Sequence, residues 1–149
     1  MINFVDGSLF DQKFDIIINT TNCVGIMGKG VALEFKKRYP KMFKEYRKLC
    51  LNKKFTPGDI WVWNKNEDHI INFMTKDHWR NPSKYQYIKK GLKLLHEYLK
   101  QFNSIKIAIP ALGCGHGGLD WKIVSKLITE NLQDLNIEIY IFNPTNLKT

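Results

Sequence analysis

The sequence lacks several features that would place a chain of 149 residues in a special class. Its cysteines stand only at positions 23, 50 and 114 and form no CxxC pair, which argues against a disulfide framework or zinc site and favours a reducing setting. No apolar run approaches the roughly 18 residues of a membrane span, and no signal-peptide pattern opens the chain. No linker, repeat or low-complexity segment interrupts it, so we expect residues 1–149 to form one cytoplasmic domain.

Positive charge is what the chain has in excess. It carries 23 Lys and Arg against 14 Asp and Glu, a net charge of +9. Such an excess favours polyanionic partners, either nucleic acid or a phosphorylated ligand. A lysine-rich surface that binds nothing is the alternative.

Short runs rich in Ile and Val alternate with helical patterns. Continuous apolar runs typical of strands covered on both faces occupy residues 14–19, 60–63, 70–74, 105–109 and 137–142, with a possible edge strand at 2–5. Helical spacing predicts helices over residues 84–102, over 41–49, from Gly30 to the Tyr39-Pro40 pair, and after Trp121. This alternation predicts a three-layer α/β/α domain with a mixed, largely parallel sheet.

Two glycine-rich loops stand between a strand and a helix, where such sheets bind ligands. The first, residues 19–30, has three glycines in its last six residues; the second, residues 111–121, has four within residues 113–118. Glycine lets the backbone approach a ligand closely, and a following helix N-terminus favours phosphate. Neither loop matches the Walker or GxGxxG pattern. The pair predicts a clamp for a diphosphate, and the alternative is two tight turns.

At these residues the chain resembles the macrodomain family, whose members bind ADP-ribose. The matching segments, which follow in the family's order, are residues 7–10 (GSLF), 18–22 (INTTN), 25–30 and 113–118. Residues 27–37 are similar to the branch that contains the DNA ADP-ribosyl glycohydrolases (DarG) and the animal terminal ADP-ribose glycohydrolase. Residues 75–80 (TKDHWR) and 112–121 most resemble the DarG group within that branch.

The resemblance implies a macrodomain hydrolase that needs no metal or cofactor and removes ADP-ribose from thymidine in single-stranded DNA. It would act as an antitoxin and DNA-repair enzyme that reverses the modification made by a DarT-like toxin. We expect a monomer that binds ADP-ribose and ADP-ribosylated single-stranded DNA, with no membrane contact.

The resemblance also implies residue roles. Asn22 matches the asparagine that meets the distal ribose, and Lys76 matches the catalytic lysine. The implied ligand contacts along the two loops and the adenine pocket are Ser8, Leu9, Asn19, Gly25, Ile26, Met27, Gly28, Gly30, Val31, Pro110, Leu112, Gly113, Cys114, Gly115, His116, Gly117, Gly118, Leu119, Phe142 and Asn143.

Two positions depart from the family pattern. Ser8 stands where many macrodomains have an aspartate that meets the adenine amine, although Asp6 is near. Gly117 stands where the animal enzyme has an aspartate within the second loop, and Asp120 is expected to cap the next helix instead.

Lys76 follows an apolar strand, so it should lie at the strand end beside the ligand. It can act as a nucleophile that forms an imine with the sugar carbon, as an acid toward the base, or as a charge that holds the scissile group in place. A plain surface lysine is the alternative. His78 can protonate the leaving base or contact a DNA phosphate, or be a surface histidine.

Basic and aromatic residues follow Lys76, a combination that suits single-stranded DNA. We predict DNA contacts by Trp79, Arg80 and Lys84, against the alternative that Trp79 packs in the core. The basic residues Lys36, Lys37, Arg38 and Lys41 either widen this positive surface or form a solvated helix face. Trp61 and Trp63 are expected to be packing residues.

Four alternative functions stay open. The chain could hydrolyse an ADP-ribose ester on a protein carboxylate, cleave an acyl-ADP-ribose, remove phosphate from ADP-ribose 1″-phosphate, or bind ADP-ribose without turnover. Lys76 and His78 argue against binding without turnover, because a protein that only binds ADP-ribose (a reader) needs neither residue.

Overall fold

The computed structural model describes residues 1–144, which form one six-stranded sheet and four helices. The strands are β1 (Ile2–Val5), β2 (Ile16–Thr21), β3 (Ile60–Lys65), β4 (Asp68–Met74), β5 (Lys106–Ile109) and β6 (Glu138–Phe142). The helices are α1 (Gly30–Arg38), α2 (Pro40–Leu51), α3 (Tyr85–Leu99) and α4 (Trp121–Leu132).

The sheet is mixed and largely parallel, as predicted. Its strand order is β1-β6-β5-β2-β4-β3, and all neighbouring pairs are parallel except β3 with β4. The parallel strands therefore end together at one edge of the sheet. The connections that leave β2, β4 and β5 at this edge lead into α1, α3 and α4, and ligands of such sheets bind there.

Helices cover both faces of the sheet, and successive strand side chains, which point to opposite sides, pack against different helices. On β4, Ile71 and Phe73 pack into the cluster that contains the buried faces of α3 and α4. Ile70 and Met74 pack into the cluster formed with α1 and α2. The predicted three-layer α/β/α architecture is confirmed.

The strand that was predicted over residues 14–19 runs two residues further, from Ile16 to Thr21. Its polar end is held by pairing with β4 up to Thr21 opposite Met74, so backbone pairing rather than hydrophobicity extends it. Phe14 precedes the strand and packs against Tyr140 and Phe142.

Two helix starts follow local chemistry. Pro40 is the first residue of α2, where its missing N–H costs no hydrogen bond, so α2 starts one residue earlier than predicted and ends two later. Asp120 caps α4 as expected, since its carboxylate accepts a hydrogen bond of 2.9 Å from the Lys122 N–H. Within residues 1–144, none of the helices has both the length and the apolarity needed to cross a membrane.

Candidate active site

Three connections meet at the carboxyl edge of the sheet. We call residues 22–29 after β2 the first loop, residues 75–84 after β4 the middle segment, and residues 110–120 after β5 the second loop. The Cys23 N–H donates to Asp77 O at 2.8 Å, and the Ser83 N–H donates to Gly117 O at 3.0 Å. The middle segment is thus bonded to both glycine-rich loops, so the predicted ligand loops and Lys76 share one site.

Asn22 organises the first loop from inside. Its Oδ1 accepts hydrogen bonds from the Val24 N–H (3.1 Å) and the Ile26 N–H (3.3 Å), and its Nδ2 donates to Ile26 O at 2.7 Å. The residue is 5% exposed, and the turn that it holds includes Gly25 at φ +88°. Asn22 therefore shapes the loop, and one Nδ2 hydrogen remains for a ligand.

Tyr46 on α2 completes this arrangement, and sequence reasoning missed it. Its hydroxyl lies 2.9 Å from Thr21 Oγ1, 2.7 Å from Asn22 O and 2.9 Å from Asn22 Oδ1, in a fully buried position. Burial raises the pKa of this phenol, so it stays protonated and donates to Asn22. The helical spacing of Met42, Tyr46 and Cys50 indicates a buried face, but no local pattern reveals the partner across the layer.

The first loop ends at the start of α1, which is open to an anion. Lys29 is the N-cap and makes no side-chain capping bond, and the first turn contains no acidic residue. The first backbone N–H groups of a helix have no partner inside it and carry the positive end of its dipole. Gly28, Lys29 and Gly30 are exposed there, as a diphosphate site requires.

The second loop is a compact turn that leaves no room for a side chain at Gly113 or Gly117. The Leu119 N–H donates to Gly113 O at 3.0 Å, and Gly113 and Gly118 have φ angles of +72° and +78°. A Cβ at Gly117 would lie 2.4 Å from both Gly113 O and Ser83 Oγ. A side chain at position 117 would therefore clash in this structure, which is a physical reason for glycine at that position.

Lys76 lies two residues beyond the end of β4, between the loops. It is partly buried, and its Nζ lies 3.4 Å from Trp79 O. Within residues 1–144 it pairs with no carboxylate, and desolvation by burial lowers the pKa of its ammonium group. A partly desolvated, unpaired lysine is the form from which an amine nucleophile or a proton donor is made.

The residues after Lys76 form an exposed stack. The His78 ring stacks on Trp79 at 5.3 Å between centroids, and the Arg80 guanidinium lies 4.6 Å from the Trp79 ring. Trp79 is 39% exposed, so the alternative that it packs in the core is wrong. His78 Nδ1 accepts from the Arg80 N–H at 3.1 Å, which leaves Nε2 for a substrate. Lys84 is exposed at the N-cap of α3.

Polar groups at the ends of β1 and β6 form the predicted adenine side. Asn143 donates from Nδ2 to Asp6 Oδ1 at 3.0 Å and accepts from Trp121 Nε1 at 3.3 Å. The Ser8 side chain is used within its own turn, where its Oγ accepts from the Phe10 N–H at 3.1 Å. Asp6 and Ser8 are both exposed, and their contact with adenine stays a prediction.

Asn19 lies buried against Met27 of the first loop. It is 0% exposed, and its Nδ2 donates to Asn72 Oδ1 at 3.0 Å and lies 3.7 Å from Met27 Sδ. The Asn19 side chain thus has no exposed surface in this structure. Its contact with a ligand stays a prediction.

The other predicted contacts differ in exposure. Those with exposed surface are Ile26, Gly28, Gly30, Gly115, His116 and Gly118, and partly exposed are Val31, Cys114, Leu119 and Asn143. Those that are buried and can offer only backbone or packing are Leu9, Gly25, Met27, Pro110, Leu112, Gly113, Gly117 and Phe142. Of the packing tryptophans, Trp63 is buried as expected, and Trp61 packs partly buried against the α1 and α2 cluster.

Burial raises the pKa of the Cys23 and Cys114 thiols to about 12, so neither is a thiolate nucleophile. Among residues 1–144, no group of three or more His, Cys, Asp or Glu side chains is close enough together to hold a metal ion.

Comparison with known proteins places this fold and loop arrangement in one family. The Macro domain family matches residues 18–128, and the chain belongs to that family, as the loop motifs predicted. It is 42% identical, over 97% of its length, to the DNA ADP-ribosyl glycohydrolase of Mycobacterium tuberculosis and 39% identical to that of Thermus aquaticus. The chain spans only 43% and 41% of the lengths of these two relatives.

Solved structures agree with this assignment. The macrodomain of Mycobacterium tuberculosis DarG superposes with a TM-score of 0.91 at 41% identity, covering 97% of this chain and 99% of that one. Thermosipho africanus DarTG, solved in complex with ADP-ribose, superposes with a TM-score of 0.83 at 30% identity, covering 97% of this chain and 42% of that one. The resemblance to the DarG branch is confirmed.

Proposed function

We propose that this chain is a DarG-like ADP-ribosyl glycohydrolase that removes ADP-ribose from thymidine in single-stranded DNA. The observation that carries the proposal is the position of Lys76 in a segment that is hydrogen-bonded to both glycine-rich loops. Lys76 is partly buried, pairs with no carboxylate among residues 1–144, and has a pKa that burial lowers. Two relatives that are 39–42% identical are named DNA ADP-ribosyl glycohydrolase, which supports DNA as the carrier of the ADP-ribosyl group.

ADP-ribose is proposed to lie along the carboxyl edge of the sheet. Asp6 and Asn143 face the adenine, and the diphosphate lies between the first backbone N–H groups of α1 and the second loop. The distal ribose then falls beside Asn22 and Lys76, where the first loop meets the middle segment. This order follows the spacing of the loops along the edge, since β6, β5, β2 and β4 are successive neighbours.

At the distal ribose, the bond between the anomeric carbon and the base nitrogen breaks. Its electron pair stays with the base, which takes up a proton, and the carbon becomes oxocarbenium-like. The neutral amine of Lys76 can add to this carbon and form an imine, which water then hydrolyses to free ADP-ribose and the amine. His78, whose Nε2 is free while Nδ1 is bonded, is placed to supply the proton to the base.

We propose ADP-ribosylated single-stranded DNA and a DarT-like transferase as the partners of this activity, with Trp79, Arg80 and Lys84 in contact with the strand. The exposed His78–Trp79–Arg80 stack offers an aromatic edge and positive charge beside Lys76. A relative from Thermosipho africanus, 29% identical, is named as a fusion of a DNA ADP-ribosyl transferase and a DNA ADP-ribosyl glycohydrolase. Linking the two activities in one chain fits the pairing of a toxin with its antitoxin.

The test compares wild type, Lys76→Ala and the control Lys126→Ala on a single-stranded oligomer that carries ADP-ribosylated thymidine. Lys126 is an exposed lysine on α4, away from the site. We expect Lys76→Ala to lower kcat by about 10²–10⁴-fold while it still binds ADP-ribose in a calorimetric titration. Wild-type binding of ADP-ribose without release from DNA would refute the proposal and move the assignment to a protein-linked ester, ADP-ribose 1″-phosphate or a reader.

A further inference from the structure

A groove of about 490 Å³ runs along the outer surface of α2, and Lys36 of α1 lines one side of it. Four exposed cations line it: Lys36, Lys44, Arg47 and Lys48. Within residues 1–144, none of the four pairs with a carboxylate, and no acidic residue lines the groove. Their charge is therefore uncompensated along one continuous surface.

The acidic residues of these two helices are committed elsewhere. Glu34 pairs with Arg38 at 2.8 Å. Glu45 accepts hydrogen bonds from Trp63 Nε1 at 2.7 Å and from Lys65 Nζ at 3.1 Å, both on β3. These bonds lower the pKa of the Glu45 carboxyl, the Trp63 bond most, so the carboxylate is kept on the β3 side and not in the groove.

The floor of the groove is apolar. Pro40, Phe43 and Leu51 form it, and Leu51 is 70% exposed. The Lys36 ammonium lies 4.6 Å from the centroid of the Phe43 ring. Cations around an aromatic and aliphatic floor match a nucleic-acid strand with unpaired bases, whose phosphates pair with the cations while its bases lie on the apolar surface.

The groove adjoins the first loop of the candidate active site through Arg47, which lines the groove. A Cβ at Gly25, in the first loop, would lie 3.3 Å from Arg47 Cγ and 3.4 Å from Cys50 Cβ, so this loop rests directly on α2. The exposed side chains of Val24 and Ile26 flank Gly25 at the surface. A strand whose modified base lies at Lys76 therefore reaches the groove by passing over the first loop.

We infer that the groove along α2 binds the unmodified single-stranded DNA that flanks the ADP-ribosylated thymidine. Two features favour DNA as the occupant: four cations with no carboxylate among them, and contact with the loop that holds the distal ribose. The identity of the strand rests on the proposed function, but its binding can be measured without any reaction.

The expected effect follows from counterion release. For a single strand, log K falls with log salt with a slope of about −0.7 per phosphate contact, so each contact contributes about fivefold at 0.1 M salt relative to 1 M. Removing three contacts should weaken binding about 100-fold at 0.1 M and reduce the slope by about 2.

The experiment measures fluorescence anisotropy of an unmodified oligomer of about 12 nucleotides, a length within the usual range for one binding domain. It compares wild type, Lys44→Gln/Arg47→Gln/Lys48→Gln and the charge-matched control Lys89→Gln/Lys93→Gln/Lys126→Gln. The control residues are exposed on α3 and α4, which cover the opposite face of the sheet. Because the changes are on exposed helix surfaces, each should alter stability by less than about 0.5 kcal/mol, which thermal unfolding checks. Leu51→Glu is the second variant, and it places a negative charge on the exposed floor.

The inference requires that the groove triple variant and Leu51→Glu both lose affinity and that the control triple variant keeps most of it. Equal losses in both triple variants, or tighter binding of poly-glutamate than of DNA, would overturn it. Release of ADP-ribose from a modified oligomer, measured in parallel, separates the two proposals. Normal release with no groove effect refutes the groove alone, and groove-dependent binding with no release refutes the glycohydrolase alone.

Discussion

Substituting Tyr46 by Phe tests whether the first loop depends on a single buried hydroxyl. The ring can stay in place, because the change removes only an oxygen from a fully buried side chain. That oxygen lies 2.9 Å from Thr21 Oγ1, 2.7 Å from Asn22 O and 2.9 Å from Asn22 Oδ1. A phenol has one proton, so it donates to Asn22 and accepts from Thr21.

The loss of stability follows from the hydrogen-bonding groups that Tyr46→Phe leaves without a partner. Without the hydroxyl, a buried donor on Thr21 and a buried acceptor on Asn22 lose their partner, and each such loss costs about 1–3 kcal/mol. Asn22 Oδ1 keeps two backbone N–H donors, so we expect a total near 2 kcal/mol rather than the sum. For a chain of this size, that lowers Tm by roughly 4–8 °C.

The functional effect comes through Asn22. If the loop shape that binds ADP-ribose loses about 1.4 kcal/mol relative to other shapes, the affinity falls about tenfold. Calorimetric titration with ADP-ribose and thermal unfolding together measure both effects on the same samples.

Tyr98→Phe is the matched control. The Tyr98 hydroxyl lies 2.7 Å from His69 Nε2, at the start of β4 and therefore at the opposite edge of the sheet from the site. This variant should lose stability but keep its affinity for ADP-ribose within about twofold. If Tyr46→Phe also binds ADP-ribose as wild type does, the hydroxyl does not hold the loop and the reasoning fails.

Two further predictions concern the second loop and Lys76. Gly117→Ala should lower both Tm and ADP-ribose affinity, because its methyl group would lie 2.4 Å from a backbone oxygen and a buried hydroxyl. Gly115→Ala meets nothing within 4 Å in this structure and should leave Tm unchanged, so an equal loss of Tm in both variants would contradict this. Burial lowers the pKa of Lys76 below its ordinary value of 10.5, so if Lys76 reacts as a neutral amine, kcat should rise with pH through that lowered pKa. Borohydride should then trap the imine that Lys76 forms with ADP-ribose. A rate that falls over that range would assign Lys76 the role of acid. The free energy of unfolding should also rise with pH, because burial disfavours the charged lysine only in the folded state. This unfavourable contribution to stability is lost as the pH rises from the lowered pKa of the folded state toward 10.5.

The order of strands and helices along the chain could be predicted from the sequence because it depends on local periodicity. Runs of Ile and Val mark the buried strands, and the Tyr39-Pro40 pair separates α1 from α2. The two glycine-rich loops predict a ligand site for the same reason, because the backbone freedom of glycine and the N-terminus of the following helix depend on only a few neighbouring residues. The cap at Asp120 and the position of Lys76 at a strand end belong to this class of local features.

Pairing between distant segments decided the rest. The antiparallel placement of β3 comes from pairing of Trp61 with Asn72, and no local signal distinguishes it from a parallel neighbour. Asn19 and Asn22 look alike in sequence, yet Asn19 is buried against Asn72 while Asn22 turns into the loop. Asn19 lies inside β2 and pairs with Asn72 of β4, whereas Asn22 follows the last paired residue of the strand, so its side chain bonds the loop.

Tertiary contact also decided the details of the site that no motif carries. The hydroxyl of Tyr46 meets Asn22 across 24 positions of sequence, and Ser83 lies against Gly117 across the gap between two loops. Helical spacing alone places Lys44, Arg47 and Lys48 on one face of α2, and only the packing of α1 beside α2 adds Lys36 to that surface. Sequence specifies local conformation and residue chemistry, whereas distances between segments arise only when the sheet and its two helical layers close around their cores.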